Sequence, residues 1–236
     1  MVIVPLHKKA AAETTKQFMV SVGKYLVFSK LYQSVVQLRT PKKYYIALVW
    51  GELKHEQLDI RVDIGPETAG EWAGVRMATV DSETCDLAKV KTARTRLMVL
   101  ERGLFRQMPA TKVLLAPITG RRHQVTRDTQ KLSRDIVIDH LFQLRVHCDY
   151  IGHTIVGDYT YSDRRDVLSP RMFLHAHRLV FGSKFEDLDI TAEDQFTNKH
   201  FPQWQPQSTI CDIKTAFGEI HCEEKLCDSF RIVECH

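Results

Sequence analysis

Apolar and polar positions along the chain fall into short runs that predict many strands and few helices. From Tyr44 to Gly51 the run YYIALVWG has the branched and aromatic content of a buried strand. Leu58 to Ile64 (LDIRVDI) alternates apolar and polar, as a half-buried strand does. Pro66 to Gly74 reads as a turn region. Thr92 to Leu104, Thr111 to Ala116 and Phe173 to Phe181 predict three more strands, and Leu144 to Ile151 a short helix. Upstream, Met1 to Leu6 fits the end of a strand. His7 to Met19, with Ala10, Ala11 and Ala12 and no Gly or Pro, fits a helix. Val20 to Gln37 is apolar and β-prone. Beyond Trp204 the pattern fades, and Gln205 to His236 shows no clear core face except around Phe230 to Val233. Short strands interspersed with a few helices predict an α+β fold, a mixed and mostly antiparallel sheet with flanking helices.

Composition narrows the class. The 236 residues are 44% hydrophobic and 26% charged, which fits one globular domain, or one domain with a tail, and excludes disordered or repetitive chains. Thirty-three Lys and Arg against 29 Asp and Glu give +4, compatible with nucleic acid but no argument for it alone. No apolar run approaches the roughly 20 residues that span a bilayer. The start, MVIVPLHKK, lacks the build of a signal peptide. A soluble, monomeric, intracellular protein is expected, cytoplasmic by default and without a membrane partner. Six cysteines do not indicate a disulfide framework. Four of them (Cys211, Cys222, Cys227, Cys235) gather near the C-terminus with His221 and His236, in no recognised zinc spacing, and are expected to be free thiols.

Three segments carry candidate chemistry: PITGRRHQ (Pro117 to Gln124), LRVHCDYIGHTIVGDYTY (Leu144 to Tyr161) and RMFLHAHRLVF (Arg171 to Phe181). Thr119-Gly120 is a turn after a strand, and Arg121, Arg122 and His123 follow it. Cationic donors at a strand end can hold phosphate or carboxylate, or can be a solvated turn and nothing more. Arg145 and His147 sit two apart in one short element, bracketed by Gly152 and Gly157-Asp158. His175 and His177 read as two residues on one face of a strand, one of them packed. No spacing supports a metal site.

These segments resemble the RluA-type RNA pseudouridine synthase family, and a eukaryotic subgroup of it most. The resemblance rests on Leu115, Pro117, Thr119-Gly120-Arg121, His123-Gln124, Leu144-Arg145, His147, Gly152-His153, Ile155, Gly157-Asp158, Tyr161 and Leu174-His175-Ala176. Lys43, Tyr45, Ala47-Leu48-Val49 and Gly51 add an earlier strand. It implies conversion of uridine to pseudouridine in an RNA substrate, with no cofactor and no metal. It implies Tyr45 as the aromatic and Arg145 as the arginine of the catalytic set. Arg121, Arg122, His123, Gln124 and His147 would then lie near the RNA.

The chain departs from the family in two respects. No segment resembling H-x-L-D-x-x-T-S-G, which carries the family's nucleophilic Asp, occurs in the 236 residues, and Asp59 in LDIRVDIG lacks its flanking residues. Removing Val20–Gln37 and Val125–Gln143 restores the family spacing, with Gln124 and Gln143 interchangeable at the second join. Both segments begin with Val and end with Gln, whose codons can contain intron borders, so read-through introns are one reading and loop insertions the other. A loop of that length would bulge from the domain. The expected organisation is therefore a catalytic domain over 1–204, truncated at its N-terminus and with insertions at 20–37 and 125–143, then a tail over 205–236. The expected function is RNA uridine isomerisation by family, with this polypeptide itself inactive. The alternatives are a non-catalytic RNA-binding protein and a chain without a stable fold.

Overall fold

The computed structural model describes residues 42–119, 129–167, 169–182, 187–221 and 229–235, with only the backbone at 129–139, 181–182 and 187–188. The expectations for 1–41 lie outside these residues. The strands are β1 (Lys42–Trp50), β2 (Gln57–Arg61), β3 (Ile64–Pro66), β4 (Met77–Thr79), β5 (Thr95–Phe105), β6 (Met108–Pro117), β7 (Leu174–Gly182), β8 (Asp187–Thr191), β9 (Trp204–Thr209) and β10 (Arg231–Glu234). Among the described residues two α-helices join them, α1 (Thr129–Tyr150) and α2 (Ile213–Glu219), with a 3-10 turn at Leu87–Lys89. The main sheet runs β10-β2-β5-β6-β1-β7-β8, with β9 added on β5, while β3 and β4 form a separate ribbon. Its pairs are antiparallel except β10 with β2, so the mixed, mostly antiparallel sheet of an α+β fold is what the chain forms.

Strand β1 explains the architecture. Tyr44, Ile46 and Leu48 point into one core with Met98, Leu114, Phe173, Trp204 and Ile220. Tyr45, Ala47 and Val49 point into another with Leu97, Val113, Leu115, Leu144 and Cys148. Successive side chains alternate faces, so a strand covered on both sides reads as an unbroken apolar run. Helix α1 contributes to the second core, while α2, through Ala216, contributes to the first. Strands β5 and β6 form a long hairpin whose turn residues, Arg106 (φ 50°) and Gln107 (φ 66°), both adopt the left-handed backbone of a tight two-residue turn.

Three expectations need correction. The run Leu58 to Ile64 is not one strand: the chain leaves the sheet after Arg61 and re-enters a second ribbon at Ile64. Asp63 is diverted there, its carboxylate accepting from the Ala93 N–H at 3.1 Å and its carbonyl from the Val80 N–H at 2.9 Å. The helix at Leu144 is not short, because residues 129–143 continue it backwards; that stretch has no Gly or Pro, and no long loop forms there. The stretch beyond Trp204 packs on the core at more places than the one expected around Phe230 to Val233. It supplies β9, α2 and β10, and Trp204, Ala216 and Ile220 are fully buried. Its pattern looked faint because β9 buries only Trp204, and α2 fully buries only Ala216, with Ile213 and Phe217 half-buried.

Helix α1 stops at a glycine. Gly152 has φ +77°, its N–H donates to the Asp149 carbonyl at 2.8 Å, and the His153 N–H donates to the Cys148 carbonyl at 2.9 Å. This is the paired closure that ends helices with a left-handed residue. It sends the chain directly into the loop carrying Gly157 and Asp158. Among the described residues no helix is long and apolar enough to cross a membrane.

Candidate active site around Arg145

Arg145 leaves α1 toward the loop that follows the helix. Its Nε and Nη2 donate to the two oxygens of Asp158, each at 2.7 Å, a forked pair of charge-assisted bonds. Asp158 is 1% exposed, and its Oδ1 also accepts from the Tyr161 N–H at 3.1 Å. Gly157 makes this approach possible. It has φ +78°, its N–H donates to Asp166, and a Cβ there would lie 1.9 Å from the Arg171 carbonyl oxygen.

The guanidinium lies over the Tyr161 ring at 4.9 Å and the Phe142 ring at 5.5 Å. Tyr161 is fixed in turn, its hydroxyl donating to the Met77 carbonyl at 2.9 Å and accepting from the Met77 N–H at 3.1 Å. Burial alone would lower the Arg145 pKa, but the Asp158 charge and hydrogen bonds outweigh it and raise it. The Arg145 side chain remains 15% exposed, and Nη1 makes no bond among the described residues. One edge of the guanidinium is thus engaged by Asp158, and the end opposite the side-chain stem can take a second carboxylate or a phosphate.

One turn later Asp149 faces the same region. Burial raises its carboxyl to about 6, and Asp158 and Asp163 add to that against Arg76 and Arg165. It makes no ion pair with Arg145.

Tyr45 is on β1, 5% exposed, in the apolar cluster that holds Leu144. It makes no hydrogen bond or ring contact with Arg145. Burial raises its phenol pKa. Two residues earlier, the Lys43 ammonium lies 3.3 Å from His140 Nδ1 on α1, and burial lowers it to about 8. Lys43, quoted in the sequence only as part of a strand motif, therefore stands beside Tyr45 as a titratable group.

His147 is not positioned for RNA. It is fully buried. Its Nε2 donates to the Val62 carbonyl at 2.8 Å, so Nδ1 accepts from the Thr95 hydroxyl at 2.8 Å. Burial lowers its pKa to about 4 despite that bond, so it stays neutral. Its neighbour Gln143 donates to the same Thr95 oxygen at 3.0 Å and to the Arg94 carbonyl at 2.9 Å. The alternation that put His147 near Arg145 in sequence puts it on another side of the helix, about 200° away. Arg121, Arg122, His123 and Gln124 lie outside the described residues. Thr119, just before them, is anchored by accepting from the Arg94 N–H at 2.7 Å.

Asp59, set aside in the sequence, is buried and bound by arginines. Arg94 reaches it at 2.8 and 2.5 Å and Arg61 at 3.2 and 2.9 Å, and these hold its pKa down although burial pushes it up. His175 and His177 are both buried, rather than one of them. Cys85, Cys148, Cys211 and Cys235 are free thiols. Among the described residues no three His, Cys, Asp or Glu side chains converge as metal ligands. Sequence reasoning did not single out Asp158 and Tyr161 as site residues. The available signal was a carboxylate directly after a glycine, three residues before a tyrosine.

The chain is similar to several characterised proteins. Over 168 residues it is 39% identical to "RNA pseudouridylate synthase domain-containing protein 1" of Danio rerio, spanning 71% of this chain and 50% of that protein. The human protein of that name is 32% identical over 174 residues, 73% of this chain and 49% of that one. "Dual-specificity RNA pseudouridine synthase RluA" of Pasteurella multocida (strain Pm70) is 33% identical over 144 residues, 61% of this chain and 52% of that one. The chain thus spans about half the length of the curated relatives it matches. The solved structure "Human RNA Pseudouridylate Synthase Domain Containing 1" superposes with a TM-score of 0.63 at 27% identity, covering 92% of this chain and 74% of that one. No family-wide sequence profile matches the chain.

Proposed function

The chain belongs to the RluA-type pseudouridine synthase family, and from that premise we propose that it serves uridine isomerisation in RNA through Arg145, while these 236 residues alone bind RNA without turning it over. The carrying observation is the half-used guanidinium. Asp158 occupies one edge of Arg145 and the other remains for a second carboxylate.

Isomerisation needs such a carboxylate. It acts at the sugar or base while the N1–C1′ bond breaks; the base turns, a C5–C1′ bond forms, C5 gives up its proton and N1 takes one up. A cation beside the carboxylate keeps it ionised in an enclosed site. The family segment that would supply it is absent from this sequence. Asp158 cannot substitute, since both its oxygens already hold Arg145. Asp59 is held by its own arginines. On this reading Tyr45 is the aromatic wall for the uracil, which must leave its stack to be reached.

Tritium release from RNA labelled at uridine C5 tests the proposal, because the C5 proton is lost only when the base is rejoined through carbon. The purified chain should bind the RNA and release no tritium above background. Release abolished by Arg145→Ala would show that a carboxylate within the chain suffices, and Asp149→Asn would then identify it. Absence of RNA binding would remove the reading altogether.

A further inference from the structure

Beyond Arg145 an alternation of cations and rings runs from the buried Tyr161 out to the surface. Arg145 lies over Tyr161, and Arg76 lies over the same Tyr161 ring at 5.5 Å. Arg76 also lies over Trp72 at 5.9 Å, and Arg164 over Trp72 at 5.2 Å. Tyr159 meets Trp72 edge to face, with centroids 6.3 Å apart at 90°. The strip joins two loops distant in sequence, the β3–β4 connection and the segment after Gly157.

Both loops are braced. Arg76 pairs with Glu67 and Asp163, and Arg164 pairs with Glu71. Asp163 and Arg164 both have positive φ, at 47° and 64°, and the Arg164 N–H donates to the Tyr159 carbonyl at 2.8 Å. Two successive non-glycine residues in that region cost conformational energy and turn the Arg164 stem back toward Trp72. The outer end of the strip is open: Tyr159 is 41% exposed, and the Arg164 side chain 49%.

We propose that Trp72, Tyr159 and Arg164 form a stacking platform for an unpaired nucleobase of the RNA strand whose target uridine lies at Arg145. This rests on the RNA-modifying reading above and adds a second nucleotide subsite to it. The charges favour a base over a phosphate. The platform arginines are neutralised by Glu67, Glu71 and Asp163, leaving flat guanidinium and ring faces with little net charge. Such faces bind bases by stacking and tolerate any sequence, as on other single-strand surfaces. The chain of contacts through Tyr161 and Arg76 links the platform to Arg145, which favours a neighbouring nucleotide of the same strand as its occupant.

The test uses the full chain and a fluorescein-labelled single-stranded oligouridylate, followed by anisotropy at several salt concentrations. Trp72→Leu keeps apolar bulk without a ring face and should weaken binding about tenfold. Trp72→Phe should retain most of the affinity. The salt dependence should keep its slope in both variants, because every phosphate neighbour stays in place. Urea unfolding of each variant separates a folding defect from a binding defect. Wild-type binding with an unaltered Trp72→Leu variant overturns the platform and leaves the RNA reading standing. A tenfold loss with a shallower salt slope also overturns it, since phosphate recognition would then be what was removed. A wild-type chain that binds no oligonucleotide overturns both.

Discussion

Arg145 and Asp158 hold each other through two parallel bonds of 2.7 Å, and each is also fixed by Tyr161, one through the ring and the other through the backbone N–H. The arrangement positions a cation but also stabilises the fold, since a mostly buried charge without its partner is costly. Asp158→Asn should lower unfolding stability by about 3 kcal/mol, read from urea midpoints at pH 7. A change well under 1 kcal/mol would mean that the pair is solvated and does not fix Arg145.

Two glycines with nearly the same φ separate conformation from space. A methyl group on Gly74 (φ +71°) would meet nothing within 4 Å, whereas at Gly157 (φ +78°) a Cβ would meet the Arg171 carbonyl. Gly74→Ala should cost about 1 kcal/mol, the strain of the left-handed backbone alone. Gly157→Ala should cost several times that, or prevent folding, because the Asp158 loop must move away from residue 171. Thermal melts of the two variants decide it, and equal midpoints would contradict the close approach.

Much of the fold was legible because β1, β5 and β6 are long and bury most of their residues. The elements that escaped are those whose burial falls on a few side chains. Trp204 alone anchors the otherwise exposed β9, which no periodicity reveals, while α2 packs only the short apolar set Ile213, Ala216 and Phe217, with Ile220 just past its end. Arg145 was legible as a motif residue, and its environment was not. Phe142 is its i, i+3 neighbour on α1, but Asp158 and Tyr161 reach it through the end of α1 and the turn at Gly157, a geometry that linear spacing does not encode. His147 misled for a related reason. Adjacency in a motif says nothing about azimuth, and its ring points to Val62 and Thr95 while Arg145 points to Asp158.

Acid should loosen the protein well above the carboxylate range. Burial pulls His147, His175 and His221 down to about 4, against about 6.5 in an unfolded chain. Between those values the unfolded state binds protons that the folded state refuses. Their contribution is therefore complete above about pH 6.5 and is lost as pH falls to 4. Asp149 runs the opposite way, its folded carboxyl holding a proton up to about 6. Its contribution is complete below about 4 and is lost as pH rises through 6, which offsets one histidine. The net prediction is a falling urea midpoint from pH 6.5 to 4. In His147→Gln that slope should flatten by about one proton, ~1.4 kcal/mol per pH unit. An unchanged slope would show that His147 is not the neutral, buried group its hydrogen bonds describe.

Removal of residues 125–143 would bring Gln124 next to Leu144, so that a glutamine again precedes Leu144-Arg145. We expect the shortened chain to unfold cooperatively, with Gln124 taking over the bonds to Arg94 and Thr95, while Lys43 is left without its His140 neighbour. Sequencing the transcript across 20–37 and 125–143 should find both segments missing. A broad, non-cooperative transition in the shortened chain would show instead that the segment is integral to the domain.

The convergence of Gln143 and His147 on Thr95 has a consequence for how the site tolerates change. A helix lying on a sheet can creep along its axis, and one residue of creep turns every side chain by about 100°. Here two polar teeth one turn apart engage a single hydroxyl, and each also grips a backbone carbonyl, at Arg94 and Val62. A creep of one residue would disengage all four bonds at once, so the helix is indexed to the sheet at that notch. Arg145 lies between the teeth and inherits their setting. Upstream chain can lengthen or shorten without changing the direction in which the guanidinium points.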